Sequence, residues 1–209
     1  MRAFKAALLP CLCMLVCIAF WLQAAMIADD LQQNGQHVGM RYSSGGVNQK
    51  ALNDVAFLDP DPLRANFLAW NQGSDSVTAE FSGRNSACTV LRVSGDPQLL
   101  YDRSQYRLGA APMLGDEDSC MVSAGLAYDL WRSYDVLDVE LTFGDKSYTV
   151  SGVLKEKKDK ILLLQNPQRN EEFQFNAMEI SQVPNENGVY GDVASQVQQF
   201  ANAAQLPAG

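Results

Sequence analysis

The run LGAAPMLGDEDSCMVSAGLAYDLWRSYDVLDVELTFGDKSYTVSGVLK, Leu108 to Lys155, sets a strand, a helix and a hairpin in immediate succession. Cys120 to Val122 reads as a short apolar strand. Ser123 follows as a helix N-cap, because its hydroxyl can accept from the first unpaired backbone N–H groups. The spacing then predicts a helix over Ser123 to Tyr134, with Leu126, Ala127, Leu130 and Trp131 on one apolar stripe. Beyond it, Val139, Leu141 and Phe143 alternate with polar residues at the period of a half-buried strand. Gly144-Asp145 supplies a turn, and Tyr148, Val150, Gly152 and Leu154 resume the alternation, giving a hairpin over Val136 to Leu154. Everything here reads as packing.

The order and wording of this stretch resemble a family. The quoted matches are Gly95-Asp96 after a strand, Leu108-Gly109 before an acidic turn, and Val122-Ser123, Leu126-Ala127 and Leu130-Trp131 in the helix. Tyr148-Thr149-Val150-Ser151-Gly152-Val153 closes the hairpin. Together they are similar to the MacB-like periplasmic core domain, the extracytoplasmic domain of MacB/FtsX-like ABC transporter permeases, over roughly Ala25 to the C-terminus. Two positions depart from the pattern: Arg132 stands where the family usually has Gly, and Ala110-Ala111 where an Arg often follows. The resemblance implies an α+β domain, often in two lobes, anchored by an N-terminal span. It also implies a separate cytoplasmic ABC ATPase, further permease subunits, a dimeric assembly, and no chemistry or cofactor in this chain.

The flanks read independently of that likeness. Arg2 and Lys5 precede Ala6 to Ala28, 23 residues without a charged side chain. At 1.5 Å per residue that length crosses a bilayer core of about 30 Å. The positive flank stays inside, so the rest faces out. Residues 1–28 are therefore expected to be an uncleaved single-pass anchor and 29–209 an extracytoplasmic domain. A cleaved signal peptide is the rival reading, weakened by the poor cleavage site at Leu22-Gln23-Ala24. Cys11, Cys13 and Cys17 fall within the span. Further on we expect a strand over Val38 to Tyr42, a helix over Val47 to Val55 and a strand from Leu63 to Trp70. A polar loop at Asn71 to Asp75 and alternation at Val77, Ala79 and Phe81 follow. Cys88 to Val93 returns as a strand, ended by Gly95-Asp96-Pro97. Lys155 to Lys160 reads as a solvated hairpin tip, Ile161 to Leu164 as a buried strand, and Glu172 to Ile180 as one more. Asp192 caps a final helix. Alternating strands and a few short helices, without a regular βαβ rhythm, point to α+β.

A net charge of −8 argues against nucleic acid, which needs a clustered basic surface. Cys88 and Cys120 are the only cysteines outside the span and form a candidate disulfide in an oxidising compartment. It would close about 33 residues and stabilise by about 3 to 4 kcal/mol. The alternative is two buried free thiols. His37 is the single histidine and gives little scope for metal or acid–base chemistry. Asp116-Glu117-Asp118 is the densest carboxylate cluster, ordinarily a solvated turn and otherwise a weak calcium site. Trp70, Trp131, Tyr148 and Phe143 read as core, with a ligand pocket as the sharper alternative. No nucleotide-binding glycine loop occurs in the chain, so the motor is expected on another subunit. The expected function is the extracytoplasmic part of an ABC permease, coupling that ATPase to transport or mechanotransmission. A membrane-tethered binding or adaptor protein is the alternative, suggested by the absence of the family's further spans from this sequence.

Overall fold

The computed structural model describes residues 37–42, 46–56 and 67–181, with helical positions at 195, 198, 201 and 202. The span at 1–28 and most of the final helix lie outside the described residues. No helix among the described residues is long and apolar enough to cross a membrane. The described part is α+β, with strands predominating.

Two strands carry the architecture. β3 (Phe67–Ala79) and β4 (Asn85–Gly95) form an antiparallel hairpin in continuous register from Leu68↔Gly95 to Thr78↔Asn85. β4 then pairs in parallel with β9 (Ile161–Gln165), and β9 antiparallel with β6 (Ser119–Ser123). β6 pairs in parallel with β8 (Lys146–Leu154), and β8 antiparallel with β7 (Glu140–Phe143). β7 returns to β3 at Thr78↔Thr142 and Ala79↔Leu141. The circuit β3-β4-β9-β6-β8-β7 is therefore closed into a ring. β5 (Tyr106–Gly109) adds to the outer side of β8.

The inward residues of this ring make one core, including Cys88, Val90, Cys120, Val122, Leu162 and Leu164. Helix α2 (Ala124–Trp131) follows β6 directly and adds Leu126, Ala127 and Leu130, all fully buried. Ser123 is the N-cap as read: its hydroxyl accepts from Leu126 N–H at 3.2 Å, accepts from Ile161 N–H at 2.9 Å and donates to the Asp159 carbonyl at 2.7 Å. One side chain thus ties the helix start to the start of β9. The outer face of β4, β9 and β6 buries Leu91, Val93, Met121 and Leu163 under Leu99, Leu100 and Tyr101. Burial on both faces is why β9 is an unbroken apolar run.

A second core lies beside the ring. β1 (His37–Arg41) pairs with β11 (Ala177–Ser181), and β11 with the first residues of β3. β2 (Val47–Asn48), β10 (Gln174–Phe175) and helix α1 (Gln49–Ala56) complete it around Val47, Leu52, Phe175 and Met178. A buried polar cluster pins α1 to the ring: Gln49 Nε2 donates to Ser94 Oγ at 3.0 Å, and Asn166 Nδ2 to Gln49 Oε1 at 2.9 Å.

Several expectations are corrected. Asn71 to Asp75 is strand, because β4 pairs with every residue of it even though Gln72 to Asp75 are exposed. Phe81 does not continue the Val77-Ala79 alternation; it sits wholly exposed in the turn. Lys155 to Lys160 is no hairpin tip: β6 separates β8 from β9, so the run is a crossover packed on the start of α2, where Gly125 N–H donates to the Glu156 carbonyl. Glu172 to Ile180 holds two short strands with different partners.

The helix ends at Trp131, three residues early, because Arg132 takes the left-handed conformation (φ 59°, ψ 22°) and its N–H donates to the Tyr128 carbonyl. That conformation costs a non-glycine residue about 1 kcal/mol, partly offset here by the Arg132 guanidinium 5.4 Å from the Tyr128 ring. Arg132→Gly should raise stability by about 0.5–1 kcal/mol, read as a higher urea midpoint with unchanged m-value.

Asp129, on the outer face of α2, accepts from Ser86 at 3.3 Å and pairs with Lys160. The Lys160 hydrogen bond, ahead of the opposing effect of burial, holds its carboxyl below the usual range. A lowered value makes this contribution fully present above the unfolded pKa of about 3.9, and lost as pH falls through the lower folded value. Asp129→Asn should therefore flatten the fall of the urea midpoint on acidification below about pH 4.

Candidate functional site: the mouth of the ring

α2 covers the end of the ring marked by Ser86, Ser123 and Lys160. Toward the opposite end stands Arg92, paired across strands with Asn71 and Leu164. Its position on the face of Cys88 and Val90 directs it to the ring interior. The guanidinium carbon lies 5.3 Å from the centroid of Phe143 and 5.5 Å from that of Phe173. Phe143 stands 6.5 Å from Tyr148 in the ring core, and Phe173 meets Phe175 of the second core edge-on at 5.1 Å. Both clamps are thus anchored, one in each core. Each cation–π contact is worth about 0.5–2 kcal/mol depending on desolvation. Among the described residues Arg92 makes no ion pair or hydrogen bond, so its N–H donors remain unengaged. Asn71, Gly73, Ser74, Asp75 and Val90 form the rest of a cavity of about 200 Å³.

A second concavity, of about 520 Å³, lies between the turn at Asp96-Pro97-Gln98 and the loop Ala110 to Leu114. It is bordered by the exposed Met113 and by Arg103 and Tyr106. Gly95 of the resemblance lines it, and Gly109 and Gly152 meet each other just behind Ala110. Gly109 (φ 66°) would bring a Cβ within 2.1 Å of the Ser151 carbonyl, and Gly152 within 2.4 Å of the Ala110 carbonyl. The Leu108-Gly109 and Ser151-Gly152 motifs are therefore two sides of one backbone crossing, closed by Ala110 N–H donating to Ser151 at 3.0 Å.

The other candidates separate. Cys88 and Cys120 are both free and buried. Cys88 lies beside Lys160 across β4–β9, and Cys120 opposite Leu164 across β6–β9. Two strand spacings and four residues put their Cα atoms about 16 Å apart, against a limit of about 7 Å for a bridge. The register thus corrects the candidate disulfide to two thiols of one core. Burial, reinforced by Asp75, pushes the Cys88 thiol up to about 11; burial drives Cys120 upward too. Neither supplies a thiolate near neutral pH. Denaturation without reductant followed by alkylation should label Cys88 and Cys120 fully; mass mapping that recovers a Cys88–Cys120 linked peptide would contradict the register.

His37 opens β1, far in sequence from both thiols. The acidic triplet is dispersed among partners: Asp118 pairs with Lys146 at 2.8 Å, Glu117 with Arg169 at 3.8 Å, and Asp116 accepts from Ser119 N–H at 3.1 Å. Among the described residues no group of three or more His, Cys, Asp or Glu is placed to hold a metal. Phe143 and Tyr148 are core, and Trp131 packs against the same core. Trp70 borders the outer core and carries Arg41 4.8 Å above its ring. Sequence reasoning missed Arg92 and Phe173. The available signal was Arg92 itself, a charge on the Cys88-Val90 side of an apolar strand.

No protein-family model matches the chain, and no curated protein does. Solved structures do. The periplasmic region of MacB from Actinobacillus actinomycetemcomitans matches with a TM-score of 0.55 at 6% identity, over 81% of this chain and 84% of that one. The extracellular domain of the noncanonic ABC-type transporter YknZ from Gram-positive bacteria matches at 0.52 and 13% identity, over 81% and 91%. At these identities the likeness is one of fold: the chain has the fold of those extracytoplasmic domains.

Proposed function

We propose that this chain is the extracytoplasmic domain of an ABC transporter permease of the MacB/FtsX-like type. Residues 6–28 anchor it with the N-terminus inside, and it couples a separate cytoplasmic ATPase to transport or mechanotransmission. It carries out no chemistry of its own and needs no cofactor. The observation that carries this reading is the fold likeness to the MacB and YknZ domains over 81% of the chain. It is supported by the motif glycines, since Gly95, Gly109 and Gly152 each sit where a side chain would strike backbone. Two cores sharing strand β3, through Ala69 in one and Val77 and Ala79 in the other, suit a part that passes movement from one lobe to the other. Further permease subunits and a dimeric assembly belong to the same reading.

Orientation is the direct test. Phe81 is fully exposed in the β3–β4 turn, whereas Cys88 and Cys120 are buried. A Phe81→Cys chain should react with a membrane-impermeant maleimide in intact spheroplasts. Labelling only after lysis would place the domain on the inner side and end this reading.

A further inference from the structure

The ring is closed, but one seam of it is open along part of its length. On one side β3 is paired with β4 from Leu68 to Thr78. On the other, β11 takes only Phe67 to Trp70, from Ile180 opposite Phe67 to Ala177 opposite Trp70, and β7 takes Thr78 and Ala79. Asn71 is held by β10, its Nδ2 donating to the Gln174 carbonyl at 3.0 Å, but no described strand pairs with Gln72 to Val77 on this side, and Gln72 to Ser76 are exposed. Five residues in extended conformation offer about 17 Å of backbone, with outward N–H and C=O groups that can accept another strand. Protein edges are ordinarily blunted by Lys, Pro or a bulge. Here the residues are Gln72, Gly73, Ser74, Asp75 and Ser76, and the register with β4 runs through them without a shift.

Arg92 stands at the head of this seam. Because Arg92 faces Asn71 across the hairpin, it shares a face with Asn71, Gly73 and Asp75. Gly73 has open space where a side chain would be, with nothing within 4 Å of its Cβ position. The guanidinium is held by two rings, yet it has no acid to bind among the described residues. A preorganised arginine with unengaged donors matches a carboxylate, which it can take bidentately.

We propose that the seam receives an extended segment of a partner polypeptide, added as a strand against Gln72–Ser76, with one acidic side chain seated on Arg92. A free small anion would use Arg92 alone; a peptide uses the donors and the open backbone together. Asp75, on the same face toward the far end, disfavours a second acid there. The inference concerns a surface and stands apart from the transport reading.

The probes are acetylated, amidated heptapeptides Thr-Val-X-Val-Thr-Val-Thr, with X as Asp or Asn, added to the full chain in lipid nanodiscs at millimolar concentration. Amide hydrogen exchange should show protection at residues 72–76. The Asp peptide should bind about tenfold tighter than the Asn peptide, the size expected for a lost charged hydrogen bond. Arg92→Gln should erase that preference while leaving the protection in place. An Asp peptide N-methylated at alternate backbone nitrogens should lose the protection with the protein unchanged, which keeps the test independent of whether the variant folds. Equal binding of the Asp and Asn peptides to the unaltered chain, or no protection at 72–76, would overturn the proposal. So would acetate alone matching the Asp peptide in affinity, which would make Arg92 a simple anion site.

Discussion

Leu130→Ala should lower the stability of the domain by about 3–5 kcal/mol, a third or more of what a domain of ordinary stability possesses. Leu130 is fully buried, and it joins α2 to a core fed by β3, β4, β6, β8 and β9. The loss combines the transfer of the deleted carbons to water with a cavity that a closed ring cannot collapse around. The same face carries Leu126 and Ala127, so the damage extends along the stripe rather than to one contact. Urea unfolding followed by the fluorescence of Trp131, next to Leu130, reads the effect directly. Phe81→Ser, at a residue wholly exposed, should leave the midpoint within about 0.5 kcal/mol of the parent. A Leu130→Ala chain that unfolds with the parent would mean α2 does not pack on the ring.

Gly95→Ala should cost a similar amount, about 3–5 kcal/mol, for a different reason. Gly95 ends β4 at φ 122°, a conformation closed to side chains. A Cβ there would stand 2.1 Å from the Phe67 carbonyl oxygen and 3.0 Å from the Leu68 Cα, backbone atoms that cannot rotate away. Relief requires breaking the Leu68↔Gly95 pairing where the hairpin joins the second core. It would also disturb the Gly95 carbonyl, which accepts from the buried Gln165 at 3.0 Å. Gly73→Ala is the internal comparison. Gly73 lies in the same hairpin with ordinary φ and nothing within 4 Å, so alanine there should be neutral or slightly stabilising. One substitution, opposite outcomes, and the backbone alone decides between them.

What could be read beforehand was local. The Ser123 cap, the Leu126–Leu130 stripe and the Gly144-Asp145 turn each depend on residues a few positions apart, and each stands where the pattern put it. The buried run at Ile161 to Leu164 was legible because burial on both faces leaves no alternation. What could not be read was pairing at a distance. Asn71 to Asp75 looks like a loop because its side chains are polar, yet its extended form is imposed by β4. Lys155 to Lys160 looks like a hairpin tip until β6, from some 35 residues earlier, is found between its two flanking strands. The separation of Cys88 from Cys120 depends on the register of β9 with both neighbours, which no spacing of cysteines encodes. Arg92 becomes a site only because Phe143 and Phe173, from separate segments, converge on it. The early C-terminus of α2 is the intermediate case: Arg132 stands where the resemblance expects glycine, and the backbone there adopts the glycine-favouring conformation regardless.

The most direct measurement is a cross-linking pull-down from native membranes with the full chain as bait, cross-linked before solubilisation. The account predicts recovery of an ABC ATPase together with a multi-span permease, in amounts that scale with the bait. Recovery of neither, from a chain that is membrane-bound and folded, would contradict it and leave a tethered binding protein that has this fold without a transporter.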